Sequence, residues 1–587
     1  MPWATCSRGE TNGAGWPVQI KRIPLRVRRT LSQWLMLGSR SYRRRRIDSY
    51  SALVLMLQCS IEQRFRRRQA VPSWTPKNLQ GNLRGLNLVF IGQQQYSSAT
   101  PTWNVGRSKI TKVRGRDDTF DGLTAFAPFW ATAAIFSIAG DVYSMLGYKG
   151  PLFAALSWSV VLFSLLLLLY PRRTELLIGL VMVSLVLYAL RMPVASNNKT
   201  ITAVMNGAIL LSAAVLYLRA AGRGAALARM ELYQQIRIVA RALLAIMYFY
   251  GIFHKINTDF LDPSVSCAVG LYAPLARPFG LEDNLFGRYL AIFATFVIEA
   301  IAIVSLYWKR YFAVGFILAL VFHYVIPISA YSWYMDFSSL VFALYVLSIP
   351  TPASEALYRT SLEFTNPLRE TFGRIGILLP GAAVMLVAVT LVIALTYAFP
   401  GRSFDMMVHS VWILIWAVVG GAAMVVLSYV ALQNLPCRTV SSPRQPLWVY
   451  LVPGLFFLSC LSPYIGLKTE SSINMFSNLH TEAGQTNHLL FPKPPYMFNY
   501  QNEVVKIVDS SEPHLVRQSR AGNYHVLLDV KKQLRRKPEA WVTYVKDGET
   551  ITRANASTFA GEMPSLLERK LLVFKLVDFS RPKSCTH

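Results

Sequence analysis

The chain is 587 residues long, 53% hydrophobic and only 16% charged, with a formal net charge of +29. Soluble domains carry about a quarter charged residues, so this composition and its many long apolar runs exclude an ordinary soluble enzyme and indicate a polytopic membrane protein. The six cysteines, Cys6, Cys59, Cys267, Cys437, Cys460 and Cys585, contain no CxxC pair and no zinc spacing, and they define no disulfide framework.

The basic surplus begins at the start of the chain. Residues 1–116 hold 22 Lys and Arg against Glu10, Asp48 and Glu62, a net +19. This stretch includes Arg43–Arg46 and Arg64, Arg66, Arg67 and Arg68, and it shows no sustained periodicity. Its apolar piece 52–58 is too short to span a bilayer and lacks a signal-peptide layout. The composition predicts a disordered N-terminal extension. An arm that binds anionic lipid or nucleic acid is the alternative. For the chain as a whole the lipid bilayer is the expected partner, with no nucleic acid.

From Phe120 onward the chain turns apolar. Spans are predicted near 121–147, 151–170, 174–191, 200–219, 237–255, 285–306, 311–329, 333–350, 375–399, 409–431 and 447–465, about eleven transmembrane helices in a domain covering 117–469. Cations gather in alternate loops: Arg172 and Arg173; Arg219, Arg223, Arg229, Arg237 and Arg241; Lys309 and Arg310; Arg359, Arg369 and Arg374; Arg438 and Arg444. The opposite loops carry Asp259, Asp262, Glu282, Asp283 and Asp405. The positive-inside rule then puts the N-terminus in the cytoplasm. An odd number of spans makes the C-terminal region extracytoplasmic, on the same side as the loop 256–284.

The fifth predicted span runs into AIMYFYGIFHKINTDFLDPSVSCAV (245–269), an aromatic-rich helix ending in His254-Lys255. An ionisable pair at a span end is costly there and is a functional candidate by default. Lys255 either snorkels to the headgroups or acts as a general base. A free Lys is almost wholly protonated at neutral pH, so the second role needs an apolar, aromatic pocket in which an ammonium is costly. Tyr248, Gly251 and Lys255 share one helical face, and Gly251 would leave room for a flat ring to approach Lys255. Asp259, four residues on, would pair with Lys255 if the helix continued; a break near Asn257–Thr258 is expected instead. His254 is either a hydrogen-bond donor or second base, or an interfacial His without a chemical role. Asp141, Glu299, His323 and Asp336 also stand inside spans. Glu299, in the middle of FVIEAIAIV, is either a site residue or a structural link to a neighbouring helix.

After the last span, SSINMFSNLHTEAGQTNHLLFP (471–492) groups Asn478, His480, Glu482 and His488. The spacing matches no zinc pattern, so no metal is expected; these residues are read as a polar seam joining the tail to the membrane face. Residues 470–587 form an extracytoplasmic linker and a small β-rich domain. Strands are predicted at 523–530, 540–545, 549–554 and 570–579, with a hairpin turn at Asp547-Gly548. Such strands would make a sandwich. Cys267 and Cys585 both fall outside by this topology, where an oxidising compartment would permit a disulfide between them. The sequons at Asn198 and Asn555 face outward in the same scheme.

The run FHKINTDFLDPSVSCAV (253–269) resembles the horizontally transferred transmembrane (HTTM) domain family, which includes vitamin K-dependent gamma-carboxylase. The likeness continues through 284–350, with a Glu-bearing span, a His-bearing span and SWYMDFSSLVFALYVLSI, and returns in MFSNLHTEAGQTNHLL (475–490). It covers about 120–490. In the carboxylase the matching string is Lys-Lys-hydrophobe-Asp, followed one residue later by Asp and Trp. Here His254 stands for the first Lys, Lys255 for the second, Asn257 for the first Asp and Phe260 for the Trp, while Asp259 is kept. The resemblance implies a general base at Lys255 with His254 beside it. Substrate contacts are expected from Tyr248, Gly251, Asn257, Asp259 and Glu299, and the resemblance implies reduced vitamin K or menaquinol as cofactor. The implied reaction is quinol oxidation to the epoxide, coupled in the carboxylase to CO2 addition at a Glu side chain. Two departures count against protein-Glu carboxylation: the link SNNKTITAVMN (196–206) has no His, and the external domain is short. A quinol-dependent oxidase or carboxylase-like enzyme is therefore expected. The alternatives are a non-catalytic membrane protein whose outer β domain binds a partner, and a transporter.

Overall fold

The computed structural model describes residues 121–585, apart from 140, 220–224, 331–332, 374–390, 392–393, 396, 400, 402 and 435–444. The N-terminal extension and most of the predicted span 375–399 lie outside the described residues.

Long Leu-, Val- and Ala-rich runs become helices because hydrocarbon offers the backbone no hydrogen-bond partner but itself. In chain order the main helices are α1 (Gly122–Ala139), α2 (Pro151–Leu169), α3 (Thr174–Arg191), α4 (Asn197–Arg219), α5 (Ala225–Lys255), α6 (Cys267–Ala276), α7 (Leu285–Tyr307), α8 (Phe312–Ser329), α9 (Met335–Ser348), α10 (Thr351–Phe372), α11 (Phe404–Asn434) and α12 (Trp448–Cys460). Among the described residues, eight helices are long and apolar enough to cross a membrane: α1 to α5, α7, α8 and α11. The outer faces of α2 and α7 expose Leu152, Trp158, Leu162, Leu290, Phe293 and Val297, a surface suited to lipid rather than water.

Two predicted spans are corrected in length. Helix α9 has 14 residues and α12 has 13. At 1.5 Å per residue each is about 20 Å long, short of a hydrocarbon core of about 30 Å. Helix α9 is almost entirely buried: it is hydrophobic all round because protein surrounds it. Pro350 stops it, and the amphipathic α10 follows.

Helix α5 is central to the bundle and packs on α4, α7, α9 and α12. Tyr233, Ile236, Ala240, Leu243, Leu244 and Met247 bury its faces in the main apolar core. Its C-terminal end carries the candidate site.

The tail contains one four-stranded antiparallel sheet, in the order β2-β1-β3-β4, built from β1 (Val504–Ser510), β2 (His525–Val526), β3 (Val542–Lys546) and β4 (Glu549–Ala554). The β3–β4 hairpin turns at Asp547-Gly548, both with positive φ, as that dipeptide predicts. There is no sandwich among the described residues. The stretch 523–530 starts as β2 but continues as helix α14 (Leu527–Arg536), after the shorter α13 (Pro513–Arg520). Leu527, Val530 and Leu534 recur at helical spacing, and they pack against Val505, Ile507 and Tyr544. The predicted strand 570–579 is instead a short helix, Leu566–Leu571, followed by extended chain that makes a single bridge from Val577 to Tyr524. Strand β1, with its weaker alternation, was not predicted. Cys267 and Cys585 are joined by a disulfide across 318 residues of sequence.

Candidate functional site

Helix α5 ends at Lys255 because Asn257 takes over the next turn. The Asn257 Oδ1 accepts from the Phe260 N–H at 2.7 Å and caps the short helix Thr258–Leu261. Its Nδ2 donates to the carbonyls of His254 at 2.7 Å and Ser477 at 2.6 Å. The break near Asn257–Thr258 therefore carries Asp259 away from Lys255. Asp259 Oδ2 accepts from Asn487 Nδ2 at 2.9 Å and from the Lys583 N–H at 3.2 Å.

Glu299 of α7 pairs with Lys255 instead. The Lys255 Nζ lies 2.5 Å from Glu299 Oε1, with the two residues 4% and 6% exposed. Gly251 makes this approach feasible: a Cβ there would stand 3.1 Å from Glu299 Oε2. The room left by Gly251 is thus filled by a carboxylate rather than held open for a ring. Lys255 also sits 5.8 Å from the centre of the Phe260 ring.

The pair lines a cavity of about 260 Å3 between α5, α6, α7 and α8. Tyr248, Gly251 and Lys255 of α5 contribute to one wall, Ile298 and Glu299 of α7 to another, and Phe322 and His323 of α8 to a third. Ile473, Met475 and Phe476 of the post-span segment also line it. The walls are mostly apolar with a few polar groups, as in small-molecule sites. The volume, a little below the ~300–1,000 Å3 usual for such sites, suits one flat ring system and is too small for a folded peptide. Two polar atoms lining residues of this cavity, Glu299 Oε2 and His323 Nδ1, are buried without a hydrogen-bond partner among the described residues.

The seven residues singled out in sequence fall into two groups. Tyr248, Gly251, Lys255 and Glu299 line the cavity. His254, Asn257 and Asp259 do not; they face the junction with the tail. His254 Nε2 donates to the Ser472 carbonyl at 2.9 Å, which leaves Nδ1 to accept from the Tyr464 hydroxyl at 2.8 Å. Both ring nitrogens are therefore used.

The segment 471–492 is this junction. Asn478 accepts from the Cys267 N–H and donates to the carbonyls of Val265 and Lys583. His488 Nε2 donates to the Phe253 carbonyl at 2.8 Å. His480 Nδ1 lies 3.0 Å from Glu482 Oε2. Burial pushes the Glu482 carboxyl up, but Lys583 and His480 beside it outweigh that and hold it well below the usual carboxylate range. No group of His, Cys, Asp and Glu suited to a metal ion occurs among the described residues. Ser471, Ile473, Phe476, Asn478 and Ala483 all have positive φ. Such backbone costs roughly 1–3 kcal/mol per residue and persists where its surroundings over-determine it. Here the buried hydrogen bonds do so, and they fix Ile473 and Phe476 against the cavity.

The two other acids singled out inside spans, Asp141 and Asp336, have local partners. Asp141 meets Arg191 at 2.7 Å and Lys149 at 3.1 Å. Asp336 accepts from Asn198 at 2.5 Å, and Asn198 is buried, 5% exposed. Sequence reasoning marked His323 only as an unusual intramembrane residue and gave it no role. Tyr345, whose hydroxyl reaches Tyr248, and the apolar wall residues carried no signal of their own.

No protein-family model, curated protein or solved structure matches this chain.

Proposed function

We propose that this chain is an integral membrane, HTTM-like enzyme that deprotonates the hydroxyl of a membrane-soluble aromatic ligand, with reduced vitamin K or menaquinol as the ligand class. The observation that carries the reading is the buried Lys255–Glu299 pair, with one unpartnered carboxylate oxygen, in the wall of an apolar cavity sized for a ring. The residues present fit such a group: aromatic and aliphatic walls for the ring, and a free acceptor for its hydroxyl.

The base is the pair rather than either residue. The two groups hold one proton between them in either of two arrangements. If Lys255 holds that proton, Glu299 Oε2 accepts the ligand's proton. If Glu299 holds it, Lys255 Nζ accepts. Either route breaks the ligand O–H bond and ends with the same species, an ammonium beside a neutral carboxyl and an anionic ligand. Proximity fixes the geometry, and exclusion of water strengthens the electrostatics. When bound, a reduced quinone would supply the electrons for reaction with oxygen, giving the epoxidase or carboxylase-like activity implied by the resemblance.

The orientation proposed from loop charges places Lys255 and the tail outside the cytoplasm. The Cys267–Cys585 disulfide supports it, since such bonds persist in oxidising compartments. The test is turnover of the purified full chain in detergent with reduced vitamin K or menaquinol, oxygen and bicarbonate, following epoxide and carboxylated peptide. Quinol consumption that is lost in the folded double variant Lys255→Met/Glu299→Met is the expected result. Failure of the wild-type chain to turn over any of these quinols would overturn the proposal.

A further inference from the structure

The proton step uses one end of the cavity and leaves His323 unexplained. Its side chain is 2% exposed, on an apolar helix, and edge-on to Phe322 and Phe337. A buried imidazole in such surroundings costs stability unless both nitrogens are satisfied.

One nitrogen is satisfied through a defined chain. The Tyr345 hydroxyl donates to the Tyr248 hydroxyl at 3.3 Å. Tyr248 has its own proton to give, and its other neighbour is His323 Nε2 at 3.1 Å. Nε2 then accepts, so the ring hydrogen of a neutral His323 lies on Nδ1; in a charged ring Nδ1 carries a hydrogen as well. In both cases Nδ1 is a donor, and it has no acceptor among the described residues. The cavity residues thus offer an unsatisfied acceptor, Glu299 Oε2, and an unsatisfied donor, His323 Nδ1.

We infer that His323 is a second ligand-binding residue of this cavity, a fixed N–H donor that takes an acceptor oxygen of the same ring whose hydroxyl reaches Glu299. This rests on the function proposed above and adds what that reading does not contain: the cavity selects rings with two oxygens, one on each side. Tyr345 and Tyr248 act through His323 as positioning residues that set its tautomer.

Two stable naphthalenes test this. Both 1-naphthol and 4-methoxy-1-naphthol offer a hydroxyl, but the second also offers an acceptor oxygen across the ring. Binding to the full chain in detergent is read by quenching of tryptophan fluorescence. The wild-type protein is expected to bind 4-methoxy-1-naphthol about tenfold more tightly than 1-naphthol, the worth of one good buried hydrogen bond. His323→Phe should reduce that ratio to within about twofold. His323→Gln, which keeps an N–H donor, should retain part of it. Equal binding of the two naphthols by the wild-type protein overturns the inference, whether or not His323→Phe folds. So does a ratio that survives in a folded His323→Phe. If neither naphthol binds the wild-type cavity, the proposed ring-binding function itself fails, and this inference fails with it.

Discussion

Removing one partner of the Lys255–Glu299 pair should be far more harmful than removing both. The two groups are 2.5 Å apart and each less than a tenth exposed, so Glu299→Met leaves an amine in an apolar wall with no counter-charge. Breaking a buried pair in this way costs about 3–5 kcal/mol. Replacing both partners by apolar groups of similar size is often near neutral, and the cavity beside them can absorb small misfits. Lys255→Met and Glu299→Met should therefore each destabilise by about 3–5 kcal/mol, while the double variant lies within about 1–2 kcal/mol of wild type. The coupling in the cycle is then at least about 4 kcal/mol. The assay is unfolding in detergent followed by tryptophan fluorescence, with each variant first checked for monodispersity. A Glu299→Met protein as stable as wild type, or a double variant whose loss equals the sum of the singles, would refute the pairing.

Other substitutions probe the surroundings. Gly251→Ala puts a Cβ 3.1 Å from Glu299 Oε2; the carboxylate must give way, so ligand affinity should fall severalfold while the helix itself stays intact by circular dichroism. Asn257→Ala removes two donated and two accepted bonds in a buried turn; the loss should be about 3 kcal/mol, read by the same unfolding assay. Cys267→Ser should destabilise the docked tail by about 2–4 kcal/mol, seen as faster proteolysis near residues 560–585, and reductant should reproduce it in the wild-type chain. In the tail, burial and nearby His514 lower the His525 imidazole from 6.5 to about 4. Its folded-state value is below its unfolded one, so the unfolded chain binds the extra proton first. Stability is then full above about pH 6.5 and falls on acidification, by about 2 kcal/mol at pH 5 and about 3 kcal/mol at pH 4, at ~1.4 kcal/mol per unit. Hydrogen exchange of β1 and β2 at pH 7 and pH 5 reads this, and His525→Phe should remove this part of the pH dependence.

How far the sequence revealed the molecule follows from the range of each interaction. Long apolar runs such as PLFAALSWSVVLFSLLLLL gave α2 because hydropathy over about twenty residues is a local property. It overestimated α9, because a helix wrapped in protein is as apolar as one wrapped in lipid; it overran α12, which stops at Cys460 before the separate turn Ser462–Ile465. In the tail, LLDVKKQLRR reads as strand at its start and helix only when Leu527, Val530 and Leu534 are taken together. At the site, the face shared by Tyr248, Gly251 and Lys255 was legible from helical spacing. The partner of Lys255 was not: Glu299 lies 44 residues on, and only the crossing of α5 and α7 brings it there. His254, adjacent to Lys255 in sequence, turns about 100° away on the helix and joins the tail junction, so neighbours in the chain end in different surroundings.

The bond between Cys267 and Cys585 also has a consequence for biosynthesis. The ribosome makes Cys585 318 residues after Cys267, when helices α7 to α12 and the sheet have already been translated. The cavity-lining helix α6 must therefore wait, unfastened, until the rest has been inserted and the tail has settled. Because the two sulfurs must meet in one compartment, closing this bond requires an even number of membrane crossings between residues 267 and 585.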